Sequence, residues 1–179
     1  MKSLRIVLAG LIVVLATAAW AQSDAQKSFD KIKSLAGTWE GRVTTDPPMK
    51  GMDENPSMQV TLRVTSRGNA LVHEMKGLGD GDDPTKYDHP VTMFYVDGDR
   101  LMLVHYCDAG NRPRMAAKAS ADLKTVDFNF VDLSGGTQFG HMDHATFNTI
   151  DENHHTEDWI YMMPGDKPMH AHMDLKRVK

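Results

Sequence analysis

Histidine is the residue type in this sequence best placed to do chemistry: nine occur in 179 residues, and imidazole both binds metals and changes charge near neutral pH. They are His73, His89, His105, His141, His144, His154, His155, His170 and His172. Spacing decides what each can do. His73 alternates with Leu71 and Met75, His105 with Leu101, Leu103 and Cys107, and His144 with Met142 and Thr146. On strands that parity aims all three inward. Three converging imidazoles can hold zinc or another borderline metal, and each can equally well satisfy one buried hydrogen bond. His170 and His172 share one strand face, a spacing that suits metals, but the opposite set Met169, Ala171, Met173 and Leu175 is apolar, so the pair is expected to face solvent. His154 and His155 are adjacent and point to opposite faces. No His-Glu-x-x-His or Cys-x-x-Cys spacing is present.

Signals for catalysis are sparse. Ser134-Gly-Gly136 lacks a nucleophile-elbow pattern, and no Gly-x-Gly-x-x-Gly or phosphate-cradling loop occurs. Glu74, Asp143, Glu157 and Asp158 fall on strands, where carboxylates can pair for acid–base work or simply form polar faces. His105 with an acidic partner could act as a general base, yet nothing names a substrate, a reaction or a cofactor. Cys107 is the sole cysteine, so no intramolecular disulfide is available, and it reads as a half-buried small hydrophobe. Arg112, Arg114 and Lys118 follow a turn; if Arg114 points inward it can meet a carboxylate headgroup, with Tyr106 and Tyr161 as hydroxyl donors. Thirteen methionines suit an adaptable apolar lining.

The elements that must position these groups are legible from periodicity. Residues 1–21 have the order of a secretory signal peptide: Lys2 and Arg5, an apolar stretch from Ile6 to Ala16, then Ala19-Trp-Ala21 before the expected cut. The apolar stretch is shorter than the roughly 20 residues a membrane span needs. The mature chain, 22–179, is therefore expected to be periplasmic or secreted, without stable membrane insertion. Net charge is −4 for the whole chain, and loss of Lys2 and Arg5 makes it more acidic, which argues against nucleic acid as a partner. Gln22 to Leu35 is the one convincing helix, with Phe29, Ile32 and Leu35 about a turn apart and Gly37 as a stop.

Beyond Trp39 the period is two. Met58, Val60, Leu62 and Val64 alternate with polar residues, as do Val126, Phe128 and Phe130. Turn signals at Arg67-Gly-Asn69, Asp97-Gly-Asp99 and Asp151-Glu-Asn153 join sequential strands into hairpins. Thr45–Pro56 and Gly77–Pro90 are the long loops. The count gives strands near 38–45, 57–66, 69–76, 91–97, 100–107, 113–119, 124–131, 141–149, 154–163 and 169–177. These define an all-β domain, and closure into an antiparallel up-and-down barrel removes the exposed edges that an open sheet would leave.

Leu35-Ala-Gly-Thr-Trp-Glu-Gly41, a Gly-x-Trp-x-Gly opening after a short helix, resembles the calycin group: lipocalins, fatty-acid-binding proteins and nitrobindin-like haem barrels. Tyr95-Val-Asp-Gly-Asp-Arg-Leu-Met-Leu-Val-His-Tyr-Cys107, Gly110-Asn-Arg-Pro-Arg-Met115 and Gly140-His-Met142 resemble a family of uncharacterised secreted bacterial lipocalin-like proteins. The resemblance implies a barrel with an apolar interior and, in some relatives, a bound lipid or haem. Nitrobindin-like proteins hold iron through a histidine on a late strand, but no motif here matches that ligand to one position. The expectation is an exported monomer or weak homodimer that holds a small apolar molecule, lined by Trp39, His73, His105, Arg114, Phe128, His144 and Trp159. Haem or metal binding through interior histidines, and an enzyme using histidine with a carboxylate, are the alternatives.

Overall fold

The computed structural model describes residues 22–48 and 56–178. The expected signal peptide, and the part of the Thr45–Pro56 loop that contains Met49 and Met52, lie outside the described residues.

Among the described residues the fold has one α-helix, ten strands and a short 3-10 turn at Ser66–Gly68. The helix α1 spans Asp24–Lys33, and the strands are β1 (Gly37–Asp46), β2 (Ser57–Thr65), β3 (Ala70–Gly77), β4 (Val91–Asp97), β5 (Arg100–Tyr106), β6 (Arg112–Ala119), β7 (Thr125–Ser134), β8 (His141–Asp151), β9 (His154–Met163) and β10 (Lys167–Arg177). Each strand pairs antiparallel with its neighbours in sequence, and β1 pairs with β10 to close the barrel. Closure leaves no edge with unpaired backbone donors and acceptors. The chain is thus an all-β antiparallel barrel with a short N-terminal helix, as its alternation predicts.

The helix begins where Ser23 accepts a hydrogen bond from the Gln26 backbone N–H at 3.2 Å, satisfying one of the donors that a helix start leaves free. Its buried face, Ala25, Phe29 and Ile32, packs on β2, β4 and β5 and closes one end of the barrel. Trp39 follows directly, with no exposed surface and its indole N–H donating to the Leu35 carbonyl at 2.8 Å. The Arg177 guanidinium lies 4.0 Å from the Trp39 ring centre and donates to the carbonyls of Ala36 at 2.7 Å and Glu152 at 2.8 Å. The first and last strands and the helix exit are therefore tied together at this closed end.

Two residues near the start of β1 show why the strand needs its particular side chains. Trp39 fills the floor of the barrel. Gly41 has no room for more than a hydrogen, because a Cβ there would sit 1.8 Å from the Asp174 carbonyl oxygen across the β1–β10 ladder; glycine permits that close backbone approach.

Aromatic rings fill the middle of the barrel edge to face. Phe94 meets Phe128 at 5.3 Å and Phe147 at 5.4 Å between ring centres, the separation such pairs prefer. His73, Phe94, Leu103, Met115, Phe128 and Glu157 all have 0% of their surface accessible, so the space beside them does not admit a water molecule. The barrel is solid there. Among the described residues the ladder register shifts at Arg114/Met115 and at Met142/His144 and Thr149/Asp151.

Candidate functional site

β9 places His155, Glu157 and Trp159 on its inward face, since successive residues of a strand alternate sides; all three are buried. From the opposite wall β3 contributes His73. The Nε2 of His73 lies 3.0 Å from Oε2 and 3.2 Å from Oε1 of Glu157. The Nε2 of His155 lies 3.0 Å from Oε1, and the Trp159 indole N–H donates to Oε2 at 3.0 Å. An ionised carboxylate only accepts, so both imidazoles donate through Nε2. Burial by itself would push the Glu157 carboxyl up; the charge of His73 and the hydrogen bonds from His155 and His73 outweigh it and hold the group well below the usual carboxylate range. This is a buried anion cradled by N–H donors.

His105 stands beside this cluster. His73, Thr92 and His105 occupy one row across β3, β4 and β5, and the His105 Nδ1 lies 2.8 Å from the Thr92 hydroxyl. Burial, with the neighbouring charge of His73 adding to it, pushes the imidazole of His105 down to about 3. It is neutral at ordinary pH. The Nδ1 of His73, the Nε2 of His105 and the Nδ1 of His155 have no hydrogen-bond partner.

Four of the seven residues expected to line the interior come together. His73 and His105 both pack against Trp159, with ring centres 5.8 Å and 5.4 Å away, and Phe128 joins through Phe94 and Phe147. Trp39 lies nearer the closed end, edge-on to His155 at 4.2 Å. His144 does not converge with His73 and His105. The bulge at Asp143 sets Met142 opposite the inward residue Tyr161 but His144 opposite the outward Ile160, so the parity carried forward from Met142 is reversed. The His144 Nε2 instead pairs with the Thr146 hydroxyl at 3.0 Å. Arg114 is exposed on the outside of the barrel, paired through two nitrogens with Asp132.

His155 and Glu157 complete the cluster but were absent from the expected lining, although Glu157 was among the candidate carboxylates and His155 among the histidines. Their signal was present in His155-Thr-Glu157-Asp-Trp159, an alternation that sets a histidine, a carboxylate and a tryptophan on one face. Reading His154 and His155 as an adjacent pair, and Glu157 as part of a polar face, concealed it.

At the end opposite α1 the character changes. Leu78, Tyr87, Tyr106, Phe130, Val131 and Phe139 are exposed there or toward it, Phe139 at 64%. Beneath them Cys107, Met142, Tyr161, Met163 and Met169 are half-buried. The Tyr161 hydroxyl donates to the Phe139 carbonyl at 2.7 Å. Burial pushes the Cys107 thiol up, and Asp88 and Asp108 add to that, so it is an ordinary protonated thiol. Among the described residues no three His, Cys, Asp or Glu side chains are grouped to hold a metal ion, and no helix is long and apolar enough to cross a membrane.

The fold is a closed antiparallel barrel of the lipocalin-like kind. No family model matches the chain, and no curated protein does. Among solved structures it is similar to Rv2717c from M. tuberculosis, at 12% identity with a TM-score of 0.63, over 87% of this chain and 100% of that one. It is also similar to a protein of unknown function from the DUF3598 family of Nostoc punctiforme PCC 73102, at 10% identity with a TM-score of 0.53, over 82% of this chain and 48% of that one. At such identities the likeness is one of fold.

Proposed function

We propose that this is an exported binding protein that takes a small, largely apolar molecule at the end of the barrel opposite α1. The observation that carries the reading is the uneven placement of exposed apolar side chains, six of which, from Leu78 to Phe139, gather toward that end. Exposed apolar surface that is concentrated in this way marks a binding site more often than scattered residues do. The packed centre supplies a rigid floor, so the ligand sits in the mouth above Met115 and Trp159 and does not fill the barrel. Half-buried methionines around it adapt to ligand shape, and the Tyr161 hydroxyl is a polar group within reach for orientation. The leading segment 1–21 acts as the export signal in this reading.

Native mass spectrometry on protein recovered from its host's exported fraction tests both parts. A polypeptide mass that begins at Gln22, with an added small organic molecule, is the expected result. Titration with the apolar fluorophore 1-anilinonaphthalene-8-sulfonate gives an independent readout. Bare polypeptide that also fails to bind the fluorophore would overturn the binding reading, and a mass that begins at Met1 would overturn export.

A further inference from the structure

The outside of the β8–β9–β10–β1 wall presents a separate arrangement. Across β1, β10 and β9 the register places Asp46 opposite His170 and His170 opposite Ile160, then Thr44 opposite His172 and His172 opposite Asp158. His170 and His172 are both exposed. Two residues apart on one face of a strand, their Cα atoms lie roughly 6.6 Å from each other, a separation that long imidazole side chains can close onto a single ion. They border a groove of about 360 Å³ whose walls also include Asp46, His144 and Asp158.

Hydrogen bonding decides which nitrogens are free. The His172 Nδ1 lies 2.5 Å from the Asp158 Oδ1, which places the proton on Nδ1 and leaves the Nε2 lone pair facing solvent. A carboxylate on the second ring nitrogen is the arrangement that orients metal-binding histidines and raises their basicity. The His170 imidazole has no hydrogen-bond or ion-pair partner among the described residues, so both of its nitrogens are open. His154 also meets a carboxylate, Asp174 at 3.0 Å, but no second histidine lies two residues from it on its strand face, and the His144 Nε2 is taken up by the Thr146 hydroxyl. The groove also carries negative charge from Asp46 and Asp158, which draws in a cation.

We propose that His170 and His172 form an exterior two-imidazole chelate for a borderline divalent transition ion, with Asp158 as the residue that positions His172. Only two protein ligands are supplied, in keeping with the absence of any three-ligand group among the described residues. Water completes the coordination, and the ion exchanges with solvent. Imidazole donors favour Cu²⁺ over Ni²⁺, and oxygen-seeking Mg²⁺ is not held. The site lies on the outer wall and does not depend on a ligand in the barrel mouth.

The test is calorimetric titration of the purified protein with Cu²⁺, Ni²⁺ and Mg²⁺ separately, together with electron paramagnetic resonance of the Cu²⁺ complex. The expected result is binding in the order Cu²⁺ then Ni²⁺, no Mg²⁺ binding, and coupling to two nitrogen ligands in the spectrum. His170→Asn and His172→Asn each weaken Cu²⁺ by at least about tenfold, and Asp158→Asn weakens it by about tenfold. His154→Asn leaves it unchanged. Each variant keeps the far-ultraviolet circular dichroism of the parent, since these side chains are on the outer wall. Cu²⁺ affinity unaffected by His170→Asn and His172→Asn, or a spectrum without two nitrogens, would overturn the proposal.

Discussion

The His73 Nε2 lies 3.0 Å from the Glu157 Oε2, and neither side chain has any accessible surface. The two residues are 84 positions apart in the chain and meet across the middle of the barrel, so the contact forms only when β3 and β9 are both in final register. A buried ion pair of this kind is weak evidence for added stability, but breaking it by removing one partner is costly because the other group is left buried and uncompensated.

Glu157→Gln should therefore destabilise the fold by about 3 kcal/mol, measured by urea unfolding at pH 7. His73→Gln should be costly as well, and the double variant should lose less than the sum, because the two changes remove one interaction. Additive losses would show that the residues do not act as a pair.

Acid should weaken the protein earlier than exposed groups would. His105 titrates at about 3 when folded, against an ordinary 6.5, so the unfolded chain takes up its proton first as pH falls. The stabilisation is complete well above pH 6.5 and is lost progressively from there toward pH 3, at up to about 1.4 kcal/mol per pH unit. Glu157 acts in the same direction further down: its lowered folded value means that its contribution is present above its ordinary 4.5 and lost as pH falls below it. Urea midpoints taken from pH 8 to pH 4 should be flat down to about 6.5 and then decline. If they stay level to pH 5, His105 is not held neutral by burial.

Gly41→Ala should disrupt the closure of the barrel. The new methyl would meet the Asp174 carbonyl at 1.8 Å, which only backbone movement between β1 and β10 can relieve, at a cost of about 3 kcal/mol. Hydrogen exchange should then rise at the amides of Val43 and Leu175 before those of the β4–β5 hairpin. Equal protection in parent and variant would contradict the geometry.

The open end can be tested without harming the core. Phe139 is 64% exposed, so Phe139→Ser should shift stability by no more than about 0.5 kcal/mol while it weakens fluorophore binding. Arg114→Ala, on the outer wall beside Asp132, should leave that binding unchanged. The reverse pattern would move the site away from the mouth.

Strand positions were readable because each strand has one dry face and one wet face, and alternation records that directly. The expected strand near 57–66 is β2 at Ser57–Thr65, and the Asp97-Gly-Asp99 turn joins β4 to β5 with Asp97 opposite Arg100. Trp39 at the floor and Gly41 at a close backbone approach were also legible, the first from its bulk on an apolar face and the second from its lack of a side chain. The solvent-facing pair His170 and His172 followed from the apolar set that alternates with it.

Other features depended on partners far away in the chain. His144 left the interior because of a bulge at Asp143, and a bulge is a mismatch between two strands that neither strand announces alone. Arg114 turned outward to a carboxylate on the neighbouring strand. His155 and Glu157 were visible as an alternating pair, but not the histidine from the opposite wall that completes their cluster, because that depends on strand stagger around the closed barrel. The same holds for the filled centre: hollow and solid barrels obey one alternation, and only the three-dimensional fit of Phe94, Phe128, Phe147 and Trp159 decided between them. By itself the sequence determined which residues lie on strands and the kind of barrel they build; the tertiary structure decided which inward groups meet, because that rests on register and volume summed over all ten strands.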